Sequence, residues 1–133
     1  MKNTILKTTL AFIAFFAFQT AFAEKAQWKE LQAFHSVMSK SFHPTEEGNL
    51  QPLKENSEDL LAKAKEWQKS AVPADFDKDK TTKVLVELVA KCEEINKAVK
   101  SKVDDGDLKK LITEAHEVFH QIVAKCRKPQ TEK

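Results

Sequence analysis

Apolar residues recur at spacings of three and four along four separate stretches of the chain, the period of one face of an α-helix. In the first stretch, from about Lys25 to Ser41, the stripe is Trp28, Leu31, His35, Met38 and Phe42. Pro44 predicts its end and "HPTEEGN" the following turn. The second stretch runs from about Leu50 to Ser70 and holds Pro52 in its first turn, where proline is tolerated. Leu53, Leu60, Ala64 and Trp67 are its expected buried residues. "AVPADFD" breaks it, and Asp75 or Asp77 can cap a third helix that reaches about Val103. Its stripe is Leu85, Leu88, Cys92, Ile95 and Val99. "DDGD", from Asp104 to Asp107, ends it, with Gly106 able to take the left-handed conformation that closes a helix. The fourth helix is expected from Leu108 to about Cys126, with Leu108, Ile112, Ala115, Phe119, Ile122 and Cys126 inward.

Four amphipathic helices joined by short turns predict an all-α, antiparallel up-down-up-down four-helix bundle over residues 24–128. Each helix alone is marginal in water, so mutual burial of the stripes must stabilise them. A polar tail, residues 129–133, begins at Pro129 and is expected to be disordered.

The first residues follow a different pattern. "MKNTILK" is basic, "LAFIAFFAF" is apolar, and Ala21-Phe22-Ala23 is an A-x-A cleavage site. Residues 1–23 therefore read as a secretory signal peptide, and the apolar run is too short to span a bilayer comfortably. The expectation is a secreted, periplasmic protein released by cleavage near Ala23, not an integral membrane protein. Export changes the charge argument. The chain has 22 Lys+Arg and 20 Asp+Glu; removing Lys2 and Lys7 gives 22 − 2 = 20 against 20, a formal charge of zero. A neutral chain of interspersed signs has no electrostatic footprint for nucleic acid.

The fourth stretch carries His116-Glu117-Val118-Phe119-His120, an H-E-x-x-H. In metalloproteases that spacing puts two zinc ligands and a glutamate base on one helix. A protease also needs a third ligand and a strand to hold substrate. The extended metzincin pattern requires Gly and His where this chain has Val123 and Cys126. No strand is predicted, so an enzyme of this kind is not expected. The spacing itself keeps its content, because residues four apart lie one above the other. His116 lies roughly 75° and His120 roughly 115° from the centre of the apolar stripe, at about 100° per residue. The pair is therefore on the flank of the core, where a neighbouring helix or solvent would meet it.

Matching helix ends in the expected topology puts His35, Cys92 and His116 in one layer, with Met38 and His120 about a turn away. Nitrogen and sulfur donors of this kind suit copper or zinc. The plainer alternatives are a core histidine at position 35 bonded to a buried Ser or Glu, and simple packing at Met38. His43, beside Pro44, reads as a turn residue. The two cysteines do not match in height. Cys92 faces about residue 117, so Cys126 is displaced by roughly 13 Å along the axis, beyond the Cα separation of about 7 Å that a disulfide tolerates. Cys92 then reads as a small core residue or a soft ligand, and Cys126 as available for an intermolecular bridge.

As a pattern, the chain resembles the exported four-helix bundles of the cytochrome b562 and cytochrome c′ group. The likeness rests on the first helix, the proline-broken middle loop, the "DGDLKKL" entry to the fourth helix and the late "HEVFHQIVAKCR". It implies haem between the first and last helices, with iron ligands drawn from His35 or Met38 and from His116 or His120. Covalent attachment needs Cys-x-x-Cys-His, and the chain has Ile112-Thr113-Glu114-Ala115-His116, so a c-type haem is excluded.

Three functional readings follow. The first is a bundle that binds copper or zinc through His35, His116 and His120, with Cys92 or Met38 as a sulfur donor, for buffering or sensing and without turnover. The second is a non-covalent b-type haem protein that carries electrons. The third is a cofactor-free interaction module.

Overall fold

The computed structural model describes residues 28–129. Residues 1–23, expected to be a signal peptide, residues 24–27 at the start of the expected bundle, and residues 130–133 of the tail lie outside the described residues. Among the described residues the fold is four helices and no strand: α1 (Lys29–Glu46), α2 (Gln51–Lys69), α3 (Lys78–Lys100) and α4 (Asp105–Lys125). Each helix packs on the next in sequence, and α1 meets α4 along a narrower seam. None of these helices is long and apolar enough to cross a membrane.

The expected stripes of α2 and α4 are all buried, and Ser57 and Val118 join them. On α3, Leu85, Leu88, Cys92 and Ile95 are buried, and Val99 packs against the core from its edge. The stripe of α1 differs from expectation at one position: Phe34 is fully buried and His35 is exposed. Both lie at helical spacing from Leu31 and Met38. The larger apolar ring gains more from burial, and an imidazole inside would lose its hydration.

Two helix ends also differ. α1 does not stop before Pro44 but carries it in its last turn. Pro44 lacks an N–H but keeps its carbonyl, which accepts from Glu47 N at 3.1 Å and Asn49 N at 2.8 Å. The Thr45 hydroxyl donates to the Ser41 carbonyl at 2.8 Å. Gly48, at φ +87°, then makes the left-handed turn. His43 thus becomes a helical residue. Between α3 and α4 the left-handed residue is Lys102, at φ 55°, not Gly106. Val103 N donates to the Ala98 carbonyl at 3.2 Å, which closes α3 in the manner of a Schellman motif. Gly106 lies inside the first turn of α4, whose cap is Asp104, accepting from Asp107 N at 2.9 Å. Of the two candidate caps for α3, Asp77 serves, accepting from Lys80 N at 3.0 Å.

A feature the pattern did not foresee closes the opposite end. The segment after α4 pairs with the α2–α3 connection: Asp77 N donates to the Cys126 carbonyl and Lys128 N to the Asp75 carbonyl, each at 2.8 Å. Arg127 covers the Phe76 ring at 5.0 Å.

Candidate histidine site on the α1–α4 seam

α1 and α4 meet through rings. Phe119 of α4 is buried, and its ring lies 5.3 Å from that of His35, 6.5 Å from His116 and 5.6 Å from His120, centroid to centroid. Phe42 of α1 stacks on His116 at 3.8 Å, with planes 13° apart. His35 and His116 are therefore on the same side of the molecule. They are not paired with each other: His116 faces Phe42, two turns farther along α1 than His35.

The pair spaced by one turn on α4 does come together. His116 Nε2 and His120 Nε2 are 3.2 Å apart, with the ring planes perpendicular. As neutral imidazoles they share one hydrogen bond, one ring donating and the other accepting. His120 is exposed and His116 half-buried. Burial holds the pKa of His116 below the usual histidine value, and the positive charges that His120, His43 and His35 carry when protonated push the same way; Glu46 opposes them. His35, His116 and His120 thus gather around Phe119, and the His43 ring lies 5.9 Å from that of Phe42. On the last turn of α1, His43 Nδ1 and Glu46 Oε2 are 3.4 Å apart, and both side chains are mostly exposed.

The sulfur candidates are elsewhere. Met38 and Cys92 are fully buried in the core. Burial pushes the Cys92 thiol up to about 12, so it is protonated at neutral pH. Cys126 caps α4 and is also buried, and both cysteines are free thiols. Among the described residues, no group of three or more His, Cys, Asp or Glu side chains is arranged to hold a metal ion. The close pair of donors on this seam is the two imidazole nitrogens of His116 and His120.

The interior does not fit a haem. Between α1 and α4 the space is filled by Phe34, Trp67 and Phe119, whose centroids lie 5.4 to 6.0 Å apart, and by Met38. A macrocycle would have to displace these rings.

Comparison with protein-family models, with curated proteins and with solved structures finds no significant match for the chain.

His43 and Glu46 lie in the last turn of α1, where Pro44 predicted a turn. Phe42 and Glu46, four residues apart, share one face once the helix continues.

Proposed function

We propose that this chain is an exported, periplasmic helical bundle that binds a transition-metal ion, copper or zinc, on the α1–α4 seam, to buffer or sense it and not to catalyse. Export rests on the pattern of residues 1–23. The short connections support the antiparallel up-down-up-down arrangement that puts the first and last helices side by side. The observation that carries the metal reading is the 3.2 Å between His116 Nε2 and His120 Nε2. With metal–nitrogen bonds of about 2.0–2.1 Å, two nitrogens on a square or tetrahedral ion lie roughly 2.8–3.4 Å apart. The two rings already stand at that separation, and Phe42 and Phe119 restrict their rotation.

Binding without turnover is favoured because Glu117, the residue that would act as base, is exposed and no strand stands among the described residues to hold a substrate. The haem reading draws on the family resemblance, and the filled interior counts against it.

The test is isothermal titration of the mature protein with Zn(II) and with Cu(II), beside an absorption spectrum. Saturable binding is expected, lost in His116→Ala/His120→Ala while the helical circular dichroism is kept. No uptake of either ion by the wild type would leave a cofactor-free interaction module. A Soret band in purified protein would favour haem.

A further inference from the structure

Two imidazoles do not complete the coordination of zinc or copper, which take four or more ligands in stable sites. The donors that join His116 and His120 can be narrowed by position. Cys92 and Met38 are sealed in the core with no exposed surface. His35 lies against Phe119, a ring that also touches the pair. Glu114 is engaged by Lys91 at 3.0 Å across the α3–α4 seam. Glu117 is exposed and, about 100° farther round than His116, stands roughly 175° from the centre of the buried stripe of α4. On α1 two groups remain. His43 and Glu46 hold only a long contact with each other, 3.4 Å, and their side chains are 67% and 54% exposed, so both are free to change rotamer. Glu46 is one turn beyond Phe42, on the same face of α1, and the Phe42 ring lies on His116 at 3.8 Å. The His43 ring lies 5.9 Å from that of Phe42.

We propose that the bound ion is divalent and that His43 and Glu46, by rotation of their side chains, complete its coordination by His116 and His120. This rests on the metal reading above. Imidazole and carboxylate donors suit Zn(II) or Cu(II), whereas Cu(I) prefers the thiolate and thioether that the core keeps out of reach. The ion would then tie the last turn of α1 to the middle of α4 across the narrowest seam of the bundle. Pro44 has a role in this arrangement: the helix that carries it continues to Glu46, so residues 43 and 46 are presented one turn apart and not on a loose connection.

The experiment is Zn(II) titration of wild type, His43→Ala, Glu46→Gln and the double variant, with His35→Ala as a control and mass under zinc measured by light scattering. All the changes are at exposed positions, and circular dichroism with thermal melts confirms that each variant folds. One ion per monomer is expected. Affinity should fall at least roughly tenfold in each of the His43 and Glu46 variants, the lower end of the loss seen when even outer-shell partners of a metal are removed. His35→Ala removes a ring that stacks on Phe119 but no donor of the proposed set, so its loss should be clearly smaller than that of the His43 and Glu46 variants. Unchanged affinity in both the His43 and Glu46 variants, with loss only in the His116/His120 variant, would overturn the inference and leave the metal reading standing. One ion per two chains, with dimeric mass, would overturn it too, because a second copy would then supply the missing donors. No zinc or copper binding by the wild type would remove both.

Discussion

Two clusters of rings hold this bundle together, and they differ in what their edges meet. At one end Trp28, Phe34, Trp67, Phe76 and Phe119 pack at centroid distances of 5.2 to 6.0 Å, and all are buried. Trp28 satisfies its indole nitrogen through Ser70 Oγ at 2.8 Å. On the α1–α4 seam, Phe42 and Phe119 pack instead on His116, His120 and His35, whose nitrogens face solvent or one another. Phe119 belongs to both clusters. The first arrangement spends ring surface on stability. The second spends it on fixing the orientation of groups that can bind something.

The largest loss is expected from removing the centre of the sealed cluster. Trp67 has no exposed surface, and Trp28, Phe34 and Phe119 all lie on it. Trp67→Ala should cost about 3–5 kcal/mol, read as a lower denaturation midpoint in urea. Its indole nitrogen is buried without a partner. Trp67→Phe, which deletes that unpaired donor but loses volume, should therefore cost clearly less than Trp67→Ala. Equal losses in the two variants would mean that this ring cluster does not carry the stability assigned to it.

A smaller effect is expected on the other side. Phe42 is 7% exposed and contributes packing there too, but its ring also sets the plane of His116. Phe42→Leu, which replaces the ring by a smaller apolar side chain, should cost only about 1–2 kcal/mol. The same change should weaken zinc binding several-fold, because a leucine does not hold the imidazole flat. Trp67→Phe should leave zinc affinity unchanged. Loss of stability without loss of affinity in Phe42→Leu would show that the two clusters do the same job.

The division between these clusters also explains what could be read in advance. The stripes of α2 and α4 were legible residue by residue, because their apolar positions leave one solution for the buried face. On α1, positions 34 and 35 both satisfy the period, and only the relative cost of burying phenyl and imidazole decides between them. The H-E-x-x-H pair was legible for the same local reason: a helix brings residues 116 and 120 together whatever the rest does. The partners on α1 were not. Matching helix ends set His35 level with His116, whereas Phe42 stands there, a displacement of roughly 10 Å along the axis. Where α1 stops depends on the hydrogen bonds at Thr45, Pro44 and Asn49. Such tertiary and capping detail has no periodic trace.

The smallest effect is expected from pH. The sealed cluster holds no titratable group, so its contribution should not vary between pH 5 and 7, roughly the range over which a histidine titrates. The seam does hold one that is perturbed. His116 has its pKa lowered in the folded protein from an ordinary 6.5, first by burial and then by His120, with His43 and His35 adding and Glu46 opposing. The unfolded chain therefore takes up a proton at a higher pH than the folded one. Between the two pKa values the unfolded state binds more protons, so stability rises with pH through that window and falls on acidification. Above the ordinary value the contribution of His116 is constant. In urea titrations with chelator present, the wild type should lose stability as pH drops below about 6.5. His116→Gln, which cannot titrate, should lose less over the same interval. Bound zinc should steepen the wild-type loss, since the same nitrogens must give up the ion before they accept protons. A pH profile identical in the two proteins, with and without the ion, would place the acid sensitivity elsewhere and deprive the seam of its separate chemistry.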